Sequence, residues 1–199
     1  MAGDKTIAAA VSAWICFADE AGQSLRPPKA RTWARRGHTP VVAVSGRGSG
    51  RVSMAGLVCA RPGHRSRLFY RLHVYHRRKG ERKGLAEGDY IALLTAAHHQ
   101  LGAPIVLVWD NVNIHVSKVM GAFVAAHDWL TVYQLPAYAP ELNPTEGVWG
   151  NVKTALGNLA ARGVDSLATT VKTLLKRIQY RPGLIDGFIA ETGLIVQPG

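Results

Sequence analysis

Two aspartates each stand directly after a strongly apolar run of the sequence. Asp19 follows residues 14–18, and Asp110 follows residues 105–109. Each run predicts a buried strand, and functional side chains collect at strand ends because they leave the core there. If the two strands are parallel neighbours, both carboxylates project into one crevice. Each aspartate could equally serve only as a turn residue, since Asp110-Asn111 is good turn chemistry.

A third carboxylate, that of Glu146, lies at a predicted helix start. The segment Asn143-Pro144-Thr145-Glu146 has an N-cap residue, a proline at the first helical position and an acid at the third. Glu146 could therefore simply complete a capping box. The same placement also holds a carboxylate at a fixed point near the mouth of a sheet, so the two interpretations stay open.

Three carboxylates around one crevice would form a set of hard oxygen ligands, which suits Mg²⁺ or Mn²⁺. On a basic protein, two such ions about 4 Å apart would explain phosphodiester chemistry. One ion lowers the pKa of the attacking water or 3′-hydroxyl, and the other stabilises the leaving oxygen. The residues predict that Asp19, Asp110 and Glu146 hold these ions.

The charge balance indicates a polyanionic partner. The chain has 199 residues, with 24 Lys and Arg against 13 Asp and Glu, which gives a formal net charge of +11. Such a surface attracts nucleic acid, although a merely basic or ribosome-associated protein has the same balance. A small-molecule enzyme is disfavoured, because the sequence has no dinucleotide-binding glycine motif and residues 46–50 lack the Lys-Ser/Thr of a phosphate loop.

The two cysteines, Cys16 and Cys59, both lie inside apolar runs, where a buried thiol is the simplest interpretation. Without a Cys-x-x-Cys pair they predict neither a disulfide framework nor a structural zinc site, and they fit a cytoplasmic setting. The apolar stretch 7–18 could pass for a short signal peptide but is far too short to span a membrane. Its second half is interpreted as a core strand, and residues 1–11 as a poorly ordered leader.

The elements that must position these groups change in type along the chain, of which 47% is hydrophobic. Predicted strands cover residues 14–18, 39–45, 52–59, 68–75, 104–109 and 130–135, and the continuous apolar run 104–109 predicts a strand covered on both faces. Predicted helices cover 88–101, 117–127, 145–160, 166–180 and 184–192, with loops at 23–37 and 136–144. Antiparallel strands, then alternating helices and strands, then helices favour an α/β fold with helices packed on a mixed sheet.

Three segments resemble the catalytic region of mariner-superfamily transposases. Val108-Trp-Asp-Asn-Val-Asn-Ile-His115 resembles the family's Asp-Asn-x-x-x-His motif, and Leu135-Pro-Ala-Tyr-Ala-Pro-Glu-Leu-Asn-Pro-Thr-Glu-Gly-Val-Trp149 is similar to its last acidic motif almost throughout. Asp19-Glu20 and Thr32-Trp-Ala-Arg-Arg-Gly-His-Thr-Pro40 are similar to the first-Asp region of its bacterial insertion-sequence branch. Residues 111–145, 35 in all, separate Asp110 from Glu146, a spacing typical of the family. The resemblance covers residues 14–149.

The resemblance implies an RNase H-like α/β fold, a mixed five-stranded sheet with helices on both faces, and DNA strand transfer with two Mg²⁺ (or Mn²⁺) ions. Asp19, Asp110 and Glu146 would be both the metal ligands and the catalytic residues. Water would first hydrolyse a phosphodiester at the end of a mobile element, and the freed 3′-hydroxyl would then attack target DNA. A bacterial, cytoplasmic protein associated with the nucleoid is expected, with no membrane partner.

Full-length members of this family carry N-terminal helix-turn-helix domains that recognise the ends of the element. In this sequence Asp19 arrives almost at once, so residues 12–199 are predicted to form the catalytic domain alone. A separate helix-turn-helix polypeptide would then recognise the ends, and the resemblance also implies a homodimer on DNA. Two alternatives stay open: an RNase H-like nuclease that does not join strands, and a catalytically silent remnant that only binds DNA.

Further residues could support this chemistry. Asn111, His115 and Asn143 are candidates for orienting a ligand or DNA, although a structural hydrogen bond would explain Asn111 and His115 equally well. Glu20 and Glu141 are acidic neighbours that could substitute as metal ligands. Trp149 lies three residues beyond Glu146 and is expected to pack rather than to take part in chemistry.

Two basic runs are candidates for phosphate contacts along DNA, although most charge runs are only solvated surface. The candidate DNA-binding residues are Arg31, Trp33, Arg35, Arg36, Arg77, Arg78, Lys79, Arg82 and Lys83. The loop that contains Trp33 could also reach a partner subunit.

Overall fold

A mixed sheet forms the centre of the molecule. The structure, a computed structural model, describes residues 12–29, 33–39, 41, 50–110, 117–136 and 139–194. Within these residues the sheet has five strands in the order β3-β2-β1-β4-β5. The strands are β1 (Trp14–Ser24), β2 (Arg51–Ala60), β3 (Arg67–Tyr75), β4 (Ile105–Trp109) and β5 (Leu130–Gln134). Because β1, β2 and β3 pair antiparallel while β4 and β5 run parallel to β1, the predicted mixed sheet is confirmed.

The first strand is longer than predicted. The apolar run ends at Ala18, but β1 continues to Ser24 because β2 pairs with it residue by residue, from Ile15 opposite Ala60 to Ser24 opposite Arg51. The expectation that β1 ends before Asp19 is therefore wrong on its β2 side. On its β4 side the parallel pairing ends with Phe17 opposite Val108, two residues before Asp19.

Helices cover both faces of the sheet, as expected. Helices α1 (Glu87–Leu101) and α2 (Lys118–Ala125) pack on one face, called here the α1 face. Helices α3 (Thr145–Ala155), α4 (Val164–Gln179) and α5 (Pro182–Glu191) pack on the other, called the α3 face. Helix α3 ends five residues earlier than predicted, just before Asn158 adopts a left-handed conformation with φ 60°. The leader 1–11 and most of the predicted strand 39–45 lie outside the described residues.

Two cores flank the sheet, one on each face. The α1-face core includes Trp109 and Tyr90, and the α3-face core includes Trp149, all of them fully buried. Complete burial of one such side chain stabilises the fold by about 1.5–3 kcal/mol. Helix α4 joins its core through residues spaced at helical period, namely Leu167, Val171, Leu175 and Ile178.

Strand β4 is covered more fully on one face than on the other. Ile105, Leu107 and Trp109 are buried on the α1 face, whereas Val106 and Val108 on the α3 face are only half-buried. The predicted cover on both faces is therefore partial. The α3 face is consequently more open beside β4, at the strand that leads to Asp110.

The two cysteines do not cross-link the fold. Cys16 and Cys59 are buried free thiols that lie opposite one another on β1 and β2. Within the described ranges, no helix is both long and apolar enough to cross a membrane.

Candidate active site

Asp19 lies on the α3 face of the sheet. It is half-buried on β1, opposite Gly56 of β2. Its side chain points to α3, because the indole Nε1–H of Trp149 donates a hydrogen bond to Asp19 Oδ2 at 2.9 Å. A carboxylate that would otherwise rotate freely is thus held by a buried aromatic ring.

The first turn of α3 is fastened to the backbone of β1. Asn143 Nδ2 donates to the carbonyl of Ala18 at 3.1 Å, and Thr145 Oγ1 donates to the carbonyl of Phe17 at 2.9 Å. Both side chains are buried, so water does not compete for these bonds. The start of the helix that carries Glu146 is thereby fixed to the two residues that precede Asp19.

Pro144 is the N-cap of α3, one residue later than predicted, yet Asn143 still makes a capping hydrogen bond. Asn143 Oδ1 accepts from the backbone N–H of Thr145 at 3.0 Å, as an N-cap side chain does. The backbone N–H of Asn143, which a capping box would pair with Glu146, instead donates to the carbonyl of Pro140 at 3.0 Å. The exposed Glu146 carboxylate is therefore not needed to satisfy the helix start.

Asp110 follows the end of β4, the parallel neighbour of β1. The last paired residues are Phe17 and Val108, so Asp19 and Asp110 each lie two residues beyond the same rung. Since Trp109 is buried on the α1 face, alternation along the strand directs Asp110 to the α3 face. Strands β1 and β4 are therefore parallel neighbours, which is the condition under which the two aspartates were expected to share a crevice.

The electrostatics of Asp19 reflect this arrangement. Burial raises the pKa of the Asp19 carboxyl to about 6, and a hydrogen bond from the backbone of Glu20 opposes that rise. The negative charges of Glu146 and Asp110 raise the pKa further. These two charges therefore lie close enough to Asp19 to disfavour its ionisation, and a bound cation would relieve the repulsion.

The donor chemistry fits a hard divalent cation, because three carboxylates from β1, β4 and α3 lie on one face. As their side chains stand, no three His, Cys, Asp or Glu residues in the described part of the chain form a group able to hold a metal ion. Bringing the carboxylates to a common ion therefore requires their side chains to rotate.

Two residues of this site were not assigned to it by the sequence. Trp149 packs as predicted, but it also holds Asp19. A Cβ atom at Gly56 would lie 2.8 Å from the ring carbons Cζ2 and Cη2 of Trp149, so only glycine leaves room for the indole beside Asp19. A glycine inside the apolar run 52–59 was the available signal, because such a glycine often marks a close approach.

The other acidic neighbours lie elsewhere. Glu20 points to the α1 face, where it accepts a hydrogen bond from the Tyr90 hydroxyl at 2.9 Å. It is also 3.9 Å from Arg51. Glu141 is exposed in a 3₁₀ turn, Pro140–Leu142, ahead of α3. The face on which Glu20 lies makes it a poor substitute for Asp19 as a ligand.

The predicted DNA-binding residues occupy two exposed segments. Trp33, Arg35 and Arg36 are exposed, with Trp33 at 99%. Also exposed are the side chains of Arg77, Arg78, Lys79 and Lys83. Arg82 instead forms an ion pair with Asp89 at 2.7 Å. Arg31, Asn111 and His115 lie outside the described residues.

The basic run at 76–83 is folded into a specific turn. His76 pairs through Nδ1 with Glu81 at 3.0 Å and through Nε2 with Asp165 of α4 at 2.9 Å. Hydrogen bonds that the ring of His76 donates to the carboxylates of Asp165 and Glu81 raise the pKa of His76. The run is thus more than a solvated charge cluster, because its first residue ties the end of β3 to the start of α4.

Comparison with known proteins agrees with the architecture. Residues 14–168 match a protein-family model described as DDE superfamily endonuclease. No curated protein matches the sequence. Among solved structures, the chain is similar to the Mos1 transposase paired-end complex with left transposon end, at 14% identity and a TM-score of 0.58. A pre-cleavage Mos1 transpososome is similar at 16% identity and a TM-score of 0.59.

These two comparisons cover 98% of this chain but 60% of each Mos1 chain, so the chain spans about 60% of the length of those relatives. The catalytic domain of Mos1 mariner transposase is similar at 14% identity and a TM-score of 0.51, over 92% of this chain and 84% of that domain. The likeness confirms the predicted RNase H-like fold, that of a transposase catalytic domain.

Proposed function

The chain belongs to the DDE superfamily endonuclease family, and on that premise we propose that it is the catalytic domain of a mariner-superfamily transposase. Within that superfamily we assign it to the bacterial insertion-sequence branch. Its activity would be metal-dependent hydrolysis of a phosphodiester at the end of an element, followed by strand transfer into target DNA. Residues 12–199 would form this domain.

One observation carries the proposal: the half-buried Asp19 lies close enough to two further carboxylates, those of Glu146 and Asp110, for their charges to act on it. The raised pKa of Asp19, which burial and the charges of Glu146 and Asp110 produce, is the electrostatic sign of that proximity. A purely structural carboxylate would gain from a cationic partner, yet no ion pair to Asp19 forms among the described residues. Uncompensated negative charge in a half-buried position is typical of a site that binds cations.

Asp19, Asp110 and Glu146 would hold two Mg²⁺ or Mn²⁺ ions. Such ions, when bound, would lower the pKa of the attacking hydroxyl and stabilise the leaving oxygen. Complexes of Mos1 with Mg and with Mn support this choice of metals. The proposal depends on rotation of the carboxylate side chains, since the described ones are not yet grouped around a common point.

The protein's own residues would supply positioning. The Trp149 indole holds Oδ2 of Asp19 and so would orient this carboxylate toward a metal. The bonds from Asn143 and Thr145 to β1 keep the Glu146 helix start at a constant distance from Asp19. This rigidity matters because small displacements of reacting groups cost large factors in rate.

DNA is the proposed partner, and the net charge of +11 supports it. The Mos1 relatives include a paired-end complex with a transposon end and a strand transfer complex. By analogy, we propose that this chain works as a homodimer on DNA and that a helix-turn-helix segment on a separate polypeptide recognises the element ends. The exposed residues Trp33, Arg35 and Arg36 would contact DNA or the partner subunit. Work on chromosomal DNA would place the protein in the cytoplasm, at the nucleoid.

The test is a nicking and joining assay on supercoiled plasmid with an oligonucleotide that ends in a 3′-hydroxyl. Mg²⁺- or Mn²⁺-dependent nicking and joining are expected for the native sequence, and both should be lost in Asp110→Asn. Nicking without joining would identify a hydrolytic nuclease instead. DNA binding with neither reaction, in both metals and with a helix-turn-helix domain added in trans, would contradict the proposal and identify an inactive remnant.

A further inference from the structure

A second polar cleft lies at the far end of β1, away from the three carboxylates. It has a volume of about 280 Å³, and three arginines, Arg26, Arg51 and Arg77, line it together with Ser24 and Tyr75. Ser24, Arg51 and Tyr75 lie side by side across β1, β2 and β3, in one row of the sheet. Hydroxyl and guanidinium donors thus surround one space.

The cleft carries excess positive charge. Arg51 has a distant acidic neighbour, Glu20 at 3.9 Å, and that carboxylate already accepts from Tyr90. Within the described residues, no ion pair forms to the side chain of Arg26 or of Arg77. Three guanidinium groups with so little compensation attract an anion.

Buried contacts shape the wall that carries Arg26 and Arg51. The side-chain amide of Gln23, which is buried, donates to the carbonyls of Ser24 and Arg26 at 2.8 Å each and so fixes the turn at the end of β1. A Cβ atom at Gly22 would lie 2.9 Å from the guanidinium of Arg51, so the missing side chain lets that group lie on β1. These contacts fix the backbone that carries Arg26 and Arg51, while the side chains of both arginines and of Arg77 stay exposed to a ligand.

The residues that flank β2 and β3 also shape the cleft. A Cβ atom at Gly50 would lie 2.6 Å from Cβ of Val164, which brings the start of β2 against α4. Arg77 has a φ of 64°, a left-handed conformation that is unfavourable for a residue with a side chain. Arg77 lies two residues beyond the end of β3 and lines the cleft in this conformation.

The cleft is separate from the reacting centre. Ser24 is five residues beyond Asp19 on β1, which is a distance of about 17 Å along an extended strand. Arg51 and Tyr75 lie on the α1 face, because they share the alternation of Leu57 and Phe69. The carboxylates lie on the α3 face, so DNA that reaches both sites would have to pass around the end of the sheet.

We propose that this cleft binds a backbone phosphate of the DNA substrate, several nucleotides from the phosphodiester that reacts. The inference rests on the proposed function, since it assumes that DNA is the substrate. Arginine suits this ligand because its planar fork donates two parallel hydrogen bonds to phosphate oxygens. The hydroxyls of Ser24 and Tyr75 can donate to the remaining oxygens.

The experiment compares two triple variants in a DNA-binding titration without divalent metal. The cleft variant carries Arg26→Ala, Arg51→Ala and Arg77→Ala. The matched control carries Arg61→Ala, Arg162→Ala and Arg177→Ala, which removes the same charge from positions outside the cleft. Thermal unfolding checks that both variants fold. The Kd for a labelled duplex is measured from low to moderate salt.

The cleft variant should bind at least about tenfold more weakly than the control, since charge-assisted hydrogen bonds are lost. The magnitude of the slope of log K against log salt should be smaller by about one in the cleft variant than in the control, which is the value for one phosphate contact. Equal Kd values and slopes for the two variants would overturn the proposal. The proposal would also be overturned if inorganic phosphate raised the unfolding temperature of the native protein but not of the cleft variant, while both bound DNA with the same Kd. That result would identify a site for small anions only. Because no reaction is measured, loss of nicking in Asp110→Asn tests the proposed function independently.

Discussion

Asp19 and Glu20 are adjacent and both acidic, but the alternation of β1 sends them to opposite faces of the sheet. Glu20 has the partners of a structural carboxylate: it accepts from the Tyr90 hydroxyl and has Arg51 nearby. Asp19 accepts from one indole and shares its face with two more carboxylates, whose charges oppose its ionisation. The comparison teaches that the role of an acidic residue depends on which charged groups lie on its face of the sheet. A shift of one residue along the strand is enough to exchange one set of neighbours for the other.

The largest expected effect separates these two residues by activity. Asp19→Asn should lower metal-dependent nicking at least about 1,000-fold, because a lost ligand removes several kcal/mol of transition-state stabilisation. Glu20→Gln, the matched control, should stay within about threefold of the native rate, a difference below 1 kcal/mol. Rates are measured on plasmid at saturating Mg²⁺. Equal losses in the two variants would break the distinction between the faces.

The pH dependence of stability should also differ between the faces. The pKa of Asp19 is raised from 3.8 to about 6, so the folded protein binds a proton more tightly than the unfolded chain between these values. The free energy of unfolding should therefore decrease as pH rises through this window, by at most about 3 kcal/mol at 1.36 kcal/mol per pH unit.

Urea unfolding in EDTA from pH 4 to pH 8 tests this expectation. Asp19→Asn cannot ionise, so its stability should lack that decrease, whereas Glu20→Gln should retain it. Parallel curves for Asp19→Asn and the native sequence would show that the pKa of Asp19 is not raised in the folded protein.

The glycine beneath Trp149 permits a test by packing. Gly56→Ala should lower the free energy of unfolding by about 1–3 kcal/mol, because its Cβ atom would lie 2.8 Å from the indole ring. Gly150→Ala lies in the same helix as Trp149, with no atom within 4 Å of its added Cβ, and should stabilise by about 0.5–1 kcal/mol. Denaturant unfolding measures both, and effects of the same sign would contradict the packing described here.

The smallest effect concerns the hydrogen bond to Asp19. Trp149→Phe keeps an aromatic ring but removes the N–H donor, and should weaken Mn²⁺ binding about 10-fold or more, as for other residues that orient ligands. Trp129→Phe, at a ring that stacks on His98, should leave Mn²⁺ affinity unchanged. Calorimetric titration of Mn²⁺ without DNA measures both. Equal affinities would mean that the indole only packs.

The sequence predicted most of the elements because their patterns are local. Strands β2 to β5 and all of the helices named above follow apolar runs or helical spacing. The second half of β1 does not, because residues 19–24 are polar or small and become a strand only through pairing with β2. That extension depends on a contact far away in the chain, which a local pattern does not encode.

The candidate site divides in the same way. Asp19, Asp110 and Glu146 could be selected from strand ends, a helix start and a family motif. The contact of Trp149 with Gly56 could not, because it depends on which face of α3 meets which face of β2. The ion pair between Arg82 and Asp89 could not be predicted either, because a charge run in the sequence does not reveal which of its residues have an ionic partner.

The bonds from α3 to β1 also bear on when the site can exist. Asn143 and Ala18 are 125 residues apart, and Thr145 and Phe17 are 128 apart. During synthesis, β1 leaves the ribosome long before the residues that fasten Glu146 beside Asp19. The set of three carboxylates can therefore form only after Glu146 has been translated and has left the ribosome, so the candidate site is absent from shorter nascent chains.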